Sequence, residues 1–320
     1  MKKALLNIII ILTVISGCAE RDRFTGINDP GITGLFTEIK GSISGELNLS
    51  ESPFWVLEDI IVDSGKSLKV NPGVEVYFSE GTSLIVKGEL IISGNRSRSV
   101  LFSAYNENKK WRGIKIINAD KKAVIDFLYI KEVREDSDSL YLNSSVVVFD
   151  SEADIFHSII YQNSALHGGG LGLFNSKARI INNIFRDNFA DVFGGAIYAD
   201  QSDISIINNT FFNNTGYNNC GGVQIYQPIK TELQNNIFYK NQDRNSLSHF
   251  VYSSQDSTTL TEEYNYFAFG NMDPIFFDDN YLTLYYLSPC KDAGNPDPAF
   301  NDHNGSRNDQ GAYGGPSGNW

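Results

Sequence analysis

Histidine, cysteine and positive charge are all scarce in this chain, and each scarcity removes a class of function. The four histidines, His157, His167, His249 and His303, are scattered with no metal-ligand spacing, so structural roles are expected for them. Lys and Arg number 26 against 38 Asp and Glu, a formal net charge of −12. So acidic a body argues against nucleic acid as a partner and disfavours a polyanionic substrate unless a local basic patch exists. Long apolar runs are also missing. The one extended stretch, Ala4 to Ile15, is interrupted by Asn7 and Thr13 and falls short of the roughly 20 residues a membrane span needs. Between residues 157 and 241 no window carries an i, i+3, i+4, i+7 apolar stripe, which excludes a helical repeat.

What is present instead is a recurring unit. His157–Asn163 (HSIIYQN), Asn182–Asn188 (NNIFRDN), Asn208–Asn214 (NNTFFNN) and Asn235–Asn241 (NNIFYKN) start 25, 26 and 27 residues apart. Gly169-Gly170-Leu171, Gly194-Gly195-Ala196 and Gly221-Gly222-Val223 recur in phase with them. Such a period marks a solenoid, whose unit buries its apolar face only by stacking on its neighbours. Ala178–Ile181, Ile204–Ile207 and Val223–Tyr226 are short, β-branched or aromatic, and bounded by turn formers, so the unit is built of strands. Phe185, Phe211 and Phe238 hold one fixed place in it and are expected to face inward. Asn serves the bends, where left-handed backbone is needed, and stacked Asn side chains can bond from coil to coil. Which Asn of each pair points inward is left open.

The units of Ile181–Asn188 and Ile207–Asn214 resemble those of the right-handed parallel β-helix proteins of the pectin-lyase-like superfamily. The resemblance covers nearly all the chain beyond the leader and implies an all-β, right-handed parallel β-helix, and the summed strand segments leave room for roughly ten coils. It carries no single function, because that superfamily includes lyases, hydrolases, epimerases, adhesins and proteins of no known activity. Met1-Lys2-Lys3 and the apolar run read as a signal peptide (1–17). It ends in Ile15-Ser16-Gly17-Cys18, which is similar to a bacterial lipobox and implies lipidation at Cys18. Two or three acyl chains anchor stably where one does not. Ala19, rather than Asp, points toward the outer membrane. Loss of Lys2 and Lys3 moves the formal charge from −12 to −14.

Residues 18–40 read as a tether, 41–287 as the β-helix and 288–320 as a capping segment. Val70–Phe78 and Leu84–Gly94 look like opening coils, with Val74, Val76 and Phe78 on one face and Pro72-Gly73 at a corner. Trp111 is expected in the core or cap. Residues 131–143 form a charged insert, expected as a solvated loop. The Tyr- and Phe-rich stretches Leu260–Phe269 and Ile275–Leu287 are expected as the last strands.

The β-helix resemblance implies an Arg or Lys base with a uronate-neutralising ion in lyases, or clustered Asp residues in hydrolases. Neither set can be placed. Arg186 and Asp187 are the one adjacent charged pair among the aligned slots, and a surface ion pair explains them. Asp191, Asp200 and Asp203 fall where turns are expected. His167-Gly168-Gly169-Gly170 lacks an accompanying Gly-x-Ser-x-Gly elbow. Cys220 and Cys290 belong to different coils, and two buried free thiols are expected in preference to a disulfide. In the tail, Asp-Ala-Gly, Asn-Gly-Ser-Arg and Gly-Ala-Tyr-Gly resemble the closing segment of many exported β-helix proteins. Asp297, Asp302, Asn304 and Asp309 there could offer oxygens to calcium, although turns held by Asp and Asn, with Arg307 pairing a carboxylate, are the plainer reading.

The expected function is therefore a lipid-anchored, non-catalytic surface binding or structural protein of the cell envelope, with a polysaccharide as ligand. A polysaccharide lyase or glycoside hydrolase with a divergent site is the alternative.

Overall fold

The computed structural model describes residues 36–135, 143–254 and 259–320; of Glu135 it describes only the backbone. The leader, Cys18, the tether up to residue 35 and the middle of the charged insert lie outside the described residues.

Each turn of chain lays down one strand on each of three faces, and every pairing between successive turns is parallel. One turn shows the order. Lys177–Ile181 lies on the third face, Ile184–Arg186 on the first, and Ile197–Asp200 on the second; Asp203–Ile207 then returns to the third. Between first and second faces, Arg134–Glu135, Ser164–His167, Phe189–Phe193 and Thr215–Gly216 add a short four-stranded sheet. Among the described residues the third face holds nine strands, and the chain makes about eight turns, close to the roughly ten expected. The all-β parallel solenoid read from the repeat is what the chain forms. Its first strand, Thr37–Ser42, begins inside the stretch read as tether.

The inward positions form one continuous core. Phe185, Phe211, Phe238 and Phe267 stack from coil to coil at 5.3, 4.7 and 4.8 Å between ring centroids. Val74, Val76 and Phe78 are buried together, and Trp111 stacks on Phe78 at 3.9 Å with its Nε1–H donated to the Lys131 carbonyl.

Most corners of the repeated coils share one pattern: a residue in left-handed backbone, then a polar residue turned inward. At the corner between third and first faces Asn182, Asn208 and Asn235 have φ of 57°, 52° and 57°. The second Asn of each pair is the inward one. Asn183, Asn209 and Asn236 each accept the backbone N–H and side-chain amide of the ladder Asn preceding or, for Asn183, the Ser158 N–H. A second ladder runs through Asn163, Asn188, Asn214 and Asn241. A third, of Ser151, Ser176 and Ser202, lies at the corner between second and third faces. Each buried bond is worth about 1 kcal/mol net, and an orphaned buried partner costs about 1–3 kcal/mol. The Gly169 and Gly195 positions bring successive coils together: a Cβ at either would lie 2.4 Å from the carbonyl oxygen of the matching glycine one coil on.

The chain after the last coil does something the sequence does not reveal. Residues 288–320 were expected to close the solenoid end; they run instead along its flank, back toward earlier coils. Asn295 N–H donates to Asn235 Oδ1 at 2.8 Å. Asn208 Nδ2 donates to Asn308 Oδ1 and the Asp309 carbonyl, and Asn182 Nδ2 to the carbonyls of Ala312 and Gly314. The Ser317 carbonyl then lies 3.2 Å from His157 Nε2, and Arg96 donates to Asn319. The first Asn of each pair points toward the strap: Asn182 and Asn208 donate to it, and Asn235 accepts from it through Oδ1 while its own amide donates to Asn208 Oδ1. Ile275–Leu287 forms no strand either; Phe276 and Leu282 pack on the outside of the first face.

Candidate functional site

The outward side of the first face is aromatic, with Tyr129, Tyr161, Phe212 and Tyr239 on it. It would suit a sugar, but the chain covers it with itself. Leu282 and Ala312 are buried there against Ile159 and Ile184, with Phe276, Tyr313 and Trp320 around them. Arg186 belongs to this closure: it pairs with Asp187 at 2.9 Å and donates to the carbonyls of Asp279 and Asn280.

The carboxylates marked for calcium are only partly brought together. Asp302 and Asp309 meet Asp292, with one oxygen of each within 4.8 Å of the others; Asp297 and Asn304 instead hold turns at Ala299 and Ser306. Asp292 carried no signal in the sequence. Asp302 accepts the N–H groups of Asp309 and Gly315, and Asp309 accepts Lys291 Nζ at 2.5 Å and the Asp292 N–H. Arg307 bonds the Gly294 carbonyl rather than a carboxylate. With these oxygens already engaged, the set does not fit a cation that needs six to eight oxygen ligands. EDTA should accordingly move the thermal midpoint by less than about 2 °C, and a larger calcium-reversible shift in a melting scan would contradict this.

The remaining flagged groups are structural. Cys220 and Cys290 are buried free thiols, each pushed up to about 12 by burial. His167 stacks with Phe193, and His249 bonds the Ala268 carbonyl; burial lowers both.

The open polar surface is the corner between the second and third faces. Asp150, Asn175, Gln201 and Gln227 stand there in left-handed backbone, one per coil. Their side chains link in pairs: Asn175 donates to Asp150, and Gln201 to Gln227 at 3.3 Å. Gln227 also donates to the hydroxyl of exposed Tyr226. Beside them a groove of about 570 Å³ is lined by Asp150, Asn175, Lys177, Asp203 and Ile229, the last 61% exposed. Sequence reasoning missed this column, although its serine ladder recurs at steps of 25 and 26.

Acids near the groove are arranged for pairing. Burial would raise Asp154, but bidentate Arg179 (2.9 and 2.6 Å) and Lys122 (2.5 Å) outweigh it and hold the carboxyl below the usual range. Asp120 is held low by bonds from Ser64 Oγ and Gly65 N–H. A carboxylate held low is a poor proton donor at neutral pH.

No protein-family profile and no solved structure matches the chain. It is similar to a transmembrane domain-containing protein of Dictyostelium discoideum, 30% identical over 118 residues. That match covers 36% of this chain and 7% of that protein, so the chain spans a small part of the relative's length. The similarity does not place the chain in a family.

Proposed function

We propose that the chain is a non-catalytic surface-binding protein of the cell envelope, a right-handed β-helix of the pectin-lyase-like type, lipid-anchored at Cys18, with a glycan as ligand. The observation that carries this is the corner between the second and third faces. In-register amides, an exposed tyrosine and a groove lie open along the axis there, while the aromatic first face is closed by the strap. Amides pair with sugar hydroxyls, and an aromatic body with a polar tip suits a ring that is apolar on one side and wet at its edge. Asp120 and Asp154, held low beside the groove, are poor proton donors, which disfavours a hydrolase mechanism that runs through either of them.

The test is incubation with a panel of uronate and neutral oligosaccharides, reading both binding and products. Binding in the micromolar to millimolar range without chemistry is expected. Unsaturated products or new reducing ends, lost on substituting groove charges, would overturn the non-catalytic reading. In the same cells, Cys18→Ala should leave the protein washable from membranes by high salt, and continued retention would overturn the anchor.

A further inference from the structure

One residue at this corner is not explained by its neighbours. Asp200 ends the strand Ile197–Asp200, and its in-register partners are Phe174 one coil before and Tyr226 one coil after. Such side chains stand about 4.8 Å apart on the same face, so aromatic residues flank the carboxylate on both sides. Tyr198, two residues earlier on that face, has its ring 5.8 Å from that of Phe174. Tyr198 pairs in register with Gln224, a residue only 6% exposed.

Two acceptors in this patch are buried without a donor: Asp200 Oδ1 and Gln224 Oε1. Asp154, Asp203 and Asp309 each have a cation within 4 Å; among the described residues Asp200 makes no such pair. Burial raises its pKa, only partly offset by the Gln201 backbone N–H. A half-buried, unpaired carboxylate costs folding free energy, and a residue that breaks a local rule without structural return points to a ligand. A partner that supplies N–H donors and positive charge, and tolerates neighbouring aromatic rings, would relieve this cost. An ammonium group does all three.

We propose that Asp200, with Tyr198 and Tyr226 beside it, receives the ammonium of an amino sugar, so that the corner selects a cationic, amine-bearing glycan. This rests on the glycan reading above and narrows it. The amides of Gln201 and Gln227 stand at the same corner beside Asp200, where the rest of the sugar chain would lie. A body of net charge −12 draws in a polycation and repels a polyuronate.

The test is calorimetric titration of the full chain, wild type and Asp200→Asn, with a glucosamine tetramer and with its N-acetylated counterpart, at low and at high salt. The free-amine tetramer should bind at least about tenfold tighter, with the preference shrinking as salt rises. Asp200→Asn should bring its affinity down to that of the acetylated tetramer. Equal affinities that Asp200→Asn does not separate would overturn the ammonium site while leaving the glycan reading in place. Binding of neither tetramer, nor of any panel sugar, would overturn both. Folding of the variant is itself informative. With the folded-state pKa raised, the cost is absent below the ordinary carboxylate range and builds as pH rises through the raised value. Asp200→Asn should therefore melt about 1–2 °C higher than wild type at pH 7 and equally at pH 3; an unfolded or clearly destabilised variant would make Asp200 a structural residue and overturn the proposal.

Discussion

Replacing Phe211 by Asp should unfold the solenoid or lower its thermal midpoint by more than about 10 °C. The ring is fully buried between Phe185 and Phe238, at 5.3 and 4.7 Å. Removing a buried Phe side chain costs about 3–5 kcal/mol by itself, and an unpaired carboxylate in the same place adds desolvation. For a chain this size about 1 kcal/mol corresponds to roughly 2–4 °C. Phe211→Leu should cost far less, because it keeps an apolar side chain in the stack. A calorimetric scan of both variants reads the difference. An unchanged midpoint for Phe211→Asp would place this column outside the core.

Deleting residues 288–320 should leave the protein aggregated or melting at least about 10 °C lower. The strap takes the amides of Asn182 and Asn208, and its Ala312 helps bury Ile159 and Ile184. Without it the aromatic first face opens to solvent as a contiguous apolar patch, and patches of that kind associate. Asn182→Ala alone should cost about 1–3 kcal/mol, since two strap carbonyls at 2.8 Å lose their donor. A soluble truncation with the wild-type midpoint, measured beside the full chain, would show the strap to be dispensable.

The period, the strands and the inward phenylalanines are legible in the sequence because a solenoid repeats its demands every coil. Asn183 and Asn182 are less so. Both are asparagines in one motif, but the side chain of the second joins the inward ladder, while the first adopts left-handed backbone and gives its amide to the strap. Nothing local says that a segment more than 120 residues later will accept that amide, so the path of the strap is invisible until the fold exists. The same limit hid the first face. Only the tertiary structure shows Tyr161 packed beside the strap cluster and Tyr239 beside Phe276. Asp200 was read as a turn residue. It closes a strand instead, and its isolation is visible only once Phe174 and Tyr226 are set beside it in register.

Hydrogen exchange of the full chain, with and without the tightest-binding oligosaccharide of the panel, tests most directly where the ligand sits. Slowed exchange is expected in peptides carrying residues 149–153, 174–177, 200–203 and 226–230, with the first-face strands and the strap unchanged. Protection confined to the strap and the first face, with the corner unaffected, would contradict the account.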